Sequence, residues 1–147
     1  MNIRDASPDD APALVPLLAE LGYPAVEDAV TTLLDSVTRE GARVVVVESD
    51  GKVQGFAVVH RMLTLHRPAP VAYLSALVVG SDARGAGLGR ALVNAVSAIG
   101  ADWGCGTLEL TSNDRRMHAH QFYSNLGFTS ESRKFRRAIA PPEQPGG

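Results

Sequence analysis

The chain has 147 residues and a mass of 15.5 kDa, the size of one compact domain. Hydrophobic residues make up 45% and charged residues 20%. With a net charge of −2 and a pI near 6.1, that composition argues against a protein that holds nucleic acid by neutralising phosphates, and against a polybasic membrane anchor. One cysteine, Cys105, excludes an internal disulfide and a multi-cysteine zinc site, and no other metal site is expected. Arg4, Asp5, Asp9, Asp10 and Glu20 leave no room for a signal-peptide core. No apolar run reaches the roughly 18–20 residues of a membrane span. A soluble cytoplasmic protein is expected, with one domain over 1–140 and a Pro/Gly-rich tail over 141–147 that reads as disordered.

Residues 2–5 read as a first strand. Ser7-Pro8-Asp9-Asp10 is a helix start: serine caps, proline suits the first turn, and acids favour the positive helix end. Leu14, Leu17, Leu18 and Leu21 form the apolar stripe that follows, and Gly22 stops it. Pro16 inside this stripe predicts a kink or a late start. A second helix is predicted from Pro24, with Val26, Val30, Leu33, Leu34 and Val37 on one face and Gly41 at its end.

The period then changes. Val44-Val45-Val46-Val47, within 42–49, is a buried strand. Asp50-Gly51 signals a hairpin, and 53–63 is the returning strand, with Gly55 marking a bulge. After a loop at 66–70 comes a third apolar strand, 71–79. A glycine-rich turn, 80–87, leads into a helix whose Leu88, Leu92, Val96 and Ile99 repeat at helical spacing up to Trp103, before Gly104. A strand over 106–112, a helix over 115–126 stopped by Gly127, and strand pieces at Phe128 and 134–139 complete the pattern.

The turn carries the chemistry. A strand, a glycine-rich turn and a helix N-terminus together expose successive backbone N–H groups and the positive end of a helix dipole. Arg84 and Arg90 add charge-assisted contacts, and a pyrophosphate suits such a nest. The dinucleotide fingerprint fails, because counting from Gly85 its third glycine would fall on Arg90. A phosphate-binding Walker loop fails because the turn has no lysine. What matches is Arg84-x-x-Gly87-x-Gly89, followed downstream by Ala119-His120-Gln121-Phe122-Tyr123-Ser124-Asn125-Leu126-Gly127-Phe128. The two segments, in this order and at this separation, resemble the GCN5-related N-acetyltransferases, and the resemblance extends over nearly the whole chain.

The resemblance implies an α/β fold of the α+β type: a central mixed sheet with two splayed parallel strands, flanked by helices. It implies acetyl-CoA as acetyl donor and an amine as acceptor. The strands 71–79 and 108–112 would splay, leaving main-chain groups of Leu77, Val78 and Val79 for the pantetheine arm. Arg84, Gly85, Ala86, Gly87, Leu88, Gly89 and Arg90 would hold the pyrophosphate. Tyr123 matches the family's general acid, a phenol that stays protonated at neutral pH and can protonate the coenzyme thiolate. Ala119, one helical turn earlier, would let the coenzyme pass close. Many relatives dimerise, which leaves a homodimer open.

Two departures stand out. Leu74-Ser75-Ala76-Leu77 lacks the acidic residue that many relatives place on the first splayed strand as a general base. Arg116 stands where many relatives have a coenzyme-contacting asparagine, with Asn113 three residues earlier as the other candidate. For the base, His60 on the preceding strand is a candidate, against a surface or satisfied core histidine. His120 near Tyr123 is another, against a packing or capping role. Ser75 could position a water, Glu109 suits an arginine partner, and a base-free site remains open. His66 and His118 read as solvated, and Cys105 as a packing residue rather than a nucleophile. Glu20, Glu27 and Asp28 either attract a cationic amine or form a solvated acidic face. The competing function is a non-catalytic acyl-CoA-binding sensor or regulatory module.

Overall fold

The computed structural model describes residues 1–112, 117–131 and 134–140. Contacts divide the chain into two compact units, Met1–Leu110 and Thr111–Gly147.

The first unit is built on a five-stranded sheet in the order β1-β2-β3-β4-β5: β1 (Asn2–Asp5), β2 (Arg43–Ser49), β3 (Lys52–Met62), β4 (Val71–Val79) and β5 (Thr107–Leu110). The first four strands pair antiparallel, and β5 joins β4 in parallel. The valine run of β2 is buried on both faces because both are covered. Val45 and Val47 face α3 (Leu88–Asp102), packing with Ala57, Val59, Leu74, Leu88, Leu92 and Val96. Val46 faces the other way, with Phe56 and Val78, toward Leu14 and Leu17 of α1 (Ala11–Leu21) and Val30 of α2 (Glu27–Arg39).

Local chemistry sets the boundaries. Ser7 and Asp10 form a capping box over a short 3₁₀ turn, Pro8–Asp10, so the α-helix itself begins at Ala11 and runs through Pro16. Helix α2 begins at Glu27 rather than Pro24, because Val26 is extended and sits outside the first turn. Only Val30 and Leu34 of its predicted stripe are fully buried. Val26 and Leu33 are exposed, Leu33 being turned away from the i, i+4 line that meets the sheet. The Asp50-Gly51 turn has φ of +55° and +76°, the doubly positive pattern that matches strand twist in a two-residue hairpin. The predicted bulge near Gly55 is present: Val47 pairs Gly55 while Glu48 pairs Val53, so Gln54 is the extra residue.

The second unit contains α4 (Met117–Asn125), with a closing turn in which Phe128 N–H donates to Tyr123 O at 3.0 Å. The strand pieces expected at Phe128 and 134–139 do not form: among the described residues, nothing beyond Leu110 is strand. Phe135 and Ile139 are exposed at 90% and 103%, and an extended segment with no paired neighbour is not stable as a strand. No described helix is long and apolar enough to cross a membrane.

Candidate active site

Strand β5 is shorter than the predicted 106–112, and its length shapes the sheet. The β4–β5 register runs from Val71↔Thr107 to Leu74↔Leu110 and stops. Strand β4 continues for five more residues, paired with β3, where Leu77, Val78 and Val79 meet Ala57, Phe56 and Gly55. Among the described residues, the stretch Ser75–Val79 therefore has a strand neighbour on one side only, edge main chain of the kind an extended ligand can join.

The same strand delivers the chain to the glycine-rich turn. Gly80 N–H donates to Gln54 O at 2.8 Å, and a 3₁₀ turn, Ser81–Ala83, follows. Gly85 and Gly87 have φ of +86° and +79°, a region where a side chain is strained. A Cβ on either would meet no atom of the described residues within 4 Å. Gly87 is the N-cap of α3, with no side-chain cap and no acid in the first turn. The first turn, carrying Leu88, Gly89 and Arg90, thus presents its N–H groups and dipole with no competing acid in that turn. Arg84 and Arg90 are exposed beside it.

Glu20 is exposed and has a partner as well. Its carboxylate accepts from Ser81 N–H at 3.2 Å, tying the end of α1 to the turn that precedes the glycine loop. The hydrogen bonds from Ser81, with help from the charge of Arg84, hold this carboxyl below the usual range. Glu27 and Asp28 are exposed in the first turn of α2, where acids complement the helix dipole. Glu109 is an arginine partner, as expected. Thr107 Oγ1 donates to it at 2.8 Å and Arg67 pairs with it, and both lower its pKa, Thr107 the more. Cys105 is half-buried against the core, its N–H on Gly100 O at 2.9 Å, as a packing residue.

One contact was not legible from the motifs. His60 Nε2 lies 2.7 Å from Ser75 Oγ, with the Tyr73 ring 6.5 Å from the imidazole. Only long-range register could have revealed it. His66 and His120 are exposed.

In the second unit, Ala119 and Tyr123 lie one turn apart on α4. The Tyr123 ring packs edge-on against Phe122 at 5.3 Å and Phe128 at 5.7 Å. The aromatic residues of the second motif thus form one cluster, and Phe122 is a packing residue within it. Asn113 and Arg116 lie outside the described residues.

A profile of the acetyltransferase (GNAT) family matches residues 11–128. The chain is 34% identical over 146 residues to an aminoglycoside N(6')-acetyltransferase type 1 of Stenotrophomonas maltophilia, an alignment covering 95% of each. Similar solved structures include an acetyltransferase of Trypanosoma brucei, 26% identical with a TM-score of 0.79, covering 94% of this chain and 99% of that one. A transcriptional regulator of Bacillus halodurans shares the fold at 21% identity and a TM-score of 0.85, with the same 94% and 99% coverage. So does glucosamine-6-phosphate N-acetyltransferase of Arabidopsis thaliana, at 20% identity and a TM-score of 0.81, covering 95% and 98%. With the profile spanning most of its length and a curated relative aligned nearly end to end, the chain belongs to the GNAT acetyltransferase family, enzymes that move an acetyl group onto an amine.

Proposed function

We propose that residues 1–140 work as one N-acetyltransferase domain that takes acetyl-CoA as donor and a primary amine of a small molecule or protein as acceptor, by direct attack. The observation that supports this most is the early end of the β4–β5 pairing at Leu74↔Leu110, on the strand that leads into the glycine loop. The edge main chain of Leu77, Val78 and Val79 suits the amides of the pantetheine arm. The uncapped first turn of α3, with Arg84, Gly85, Ala86, Gly87, Leu88, Gly89 and Arg90, suits the pyrophosphate. On the strength of the second motif, Ala119 is assigned to the coenzyme and Tyr123 to protonating its departing thiolate, with either Asn113 or Arg116, upstream of it, as a further coenzyme contact.

The chemistry these groups supply is positioning and proton transfer. An edge strand holds the pantetheine extended, so the thioester is fixed before the amine arrives. The neutral amine forms a bond to the thioester carbonyl carbon, and collapse of the intermediate breaks C–S. A phenol near the sulfur then delivers a proton at a pH where a carboxylate has already lost its own.

The relative's substrate makes an aminoglycoside the first acceptor to try. The test is thiol release from acetyl-CoA over a panel of aminoglycosides, polyamines, amino acids and peptide amino termini. Turnover with at least one amine, giving an acetylated product, is the expected result. Coenzyme binding without thiol release from any of them would contradict it.

A further inference from the structure

A primary amine is an ammonium ion at neutral pH, and its proton must leave before the nitrogen can attack. Strand β4 has no carboxylate from Ser75 to Val79 to take it. Register shows what stands there instead. Strands β3 and β4 pair Val58 with Ala76 and Val59 with Leu74, which makes Ser75 an extra residue on β4. A bulge of this kind re-aims a side chain. Ser75 is also the first residue past the last β4–β5 pair, Leu74↔Leu110, so the bulge sits at the vertex where the two strands part. Its Oγ is 2.7 Å from His60 Nε2. His60, Tyr73 and Ser75, with Met62 and Leu63, line an open depression of about 570 Å³.

We propose that His60 accepts the proton of the incoming amine through the Ser75 hydroxyl, in place of the missing strand carboxylate. This rests on the acetyltransferase reading above. With the ring proton on Nδ1, Nε2 accepts a hydrogen bond from Ser75 Oγ–H. An ammonium group that donates to Ser75 Oγ passes it one proton as the hydroxyl proton moves to Nε2. The freed lone pair forms the C–N bond with the thioester carbon, and the carbonyl electrons move onto oxygen. They return as C–S breaks. The nitrogen loses its second proton and the sulfur gains one, so a single proton per turnover leaves through His60 to solvent.

The charged and titratable groups neighbouring this pair come from three strands. On β3 it is Arg61, whose Nε donates to Trp103 O at 3.4 Å. On β4 it is Tyr73, and on β5 it is Glu109, which is opposite Tyr73 in register and is held by Arg67 of the β3–β4 loop and by Thr107. The imidazole nitrogen already lies within hydrogen-bond distance of the Ser75 hydroxyl, which is what a relay requires.

The test is kcat/KM against pH for the parent, His60→Gln and Ser75→Ala, using the best amine of the panel, with acetyl-CoA affinity measured for each by calorimetry. Both variants should bind acetyl-CoA within about twofold of the parent, which also shows that they fold. At pH 7, His60→Gln should lose on the order of 100-fold, the scale of general-base catalysis. The loss should shrink with rising pH, as solvent itself supplies free amine. Added imidazole should restore part of the activity of His60→Ala. Parent and His60→Gln profiles that run parallel at every pH, with acetyl-CoA affinity intact, would overturn the relay and leave the acetyltransferase reading standing. A parent that binds acetyl-CoA and acetylates no amine would overturn that reading, and the relay with it.

Discussion

Gly55 of β3 lies so close to Val78 of β4 that a Cβ added to the glycine would stand 2.7 Å from the Val78 carbonyl oxygen. It would also meet Val47 Cγ1 at 3.1 Å and Leu92 Cδ1 at 3.3 Å, so the position is closed on the core side as well. Val78 lies on the stretch of β4 that has left β5, and its main chain is paired with β3. The close approach of the two strands therefore fixes the position of the open edge. Gly55→Ala should cost about 1–3 kcal/mol, since backbone cannot give way as a flexible side chain does. Thermal melting should show a drop of roughly 3–10 °C, together with weaker acetyl-CoA binding. An unchanged melting temperature would contradict this account of the strand.

Asp10 anchors the first strand to the first helix. Both its oxygens accept from the Arg4 guanidinium at 2.8 Å, and Ser7 N–H donates to Oδ2 at 2.8 Å. Hydrogen bonding to Arg4 is the largest influence and outweighs burial, so the carboxyl lies below its ordinary range. A group whose pKa is lower folded than unfolded stabilises the fold above its unfolded value, near 3.9, and loses that contribution as pH falls through the folded value. Urea unfolding at pH 7 should show Asp10→Asn less stable by about 1.5–3 kcal/mol, the range for hydrogen bonds to charged groups. Below about pH 4 the gap between variant and parent should close. A gap of the same size at pH 7 and pH 3 would remove Asp10 from the acid response.

The glycine loop carries the next expectation. A Cβ at Gly87 would meet no atom of the described residues within 4 Å, and a valine there would project from a backbone that disfavours side chains. Gly87→Val should abolish measurable coenzyme binding in calorimetry. Arg84→Ala should weaken binding about tenfold, the loss of one charge-assisted contact. Binding at parental strength by both variants would move the pyrophosphate elsewhere.

Tyr123→Phe keeps the ring that packs edge-on against Phe122 and Phe128 and removes only the hydroxyl. Turnover should fall about 100-fold while coenzyme affinity stays within about twofold, because the proton is needed at collapse of the intermediate and not for binding. Equal turnover by parent and variant would take the phenol out of the reaction.

Local rules made much of this legible. The valine run, the Asp50-Gly51 turn and the glycine-loop-to-helix junction each depend on residues adjacent in sequence, and each forms where expected. Where the outcome depended on distant partners, the sequence said less. Strand β5 ends at Leu110 rather than 112 because its pairing with β4 ends there, and that is what opens the sheet. The segment 134–139 has apolar residues but no strand to pair with. The His60–Ser75 contact joins residues 15 apart in sequence and depends on the β3–β4 register, which places His60 opposite Tyr73. The contact of the exposed Glu20 with Ser81 was not legible because nothing local reveals that α1 ends beside Ser81.

The most direct measurement follows the backbone amides by NMR as coenzyme A is titrated in. The account predicts that the largest shifts fall on the N–H groups of residues 85–90, with a second set on Leu77, Val78 and Val79, and that the first set is lost in Gly87→Val. Saturation of the protein with these amides unmoved, or the largest shifts elsewhere in the sheet, would contradict it.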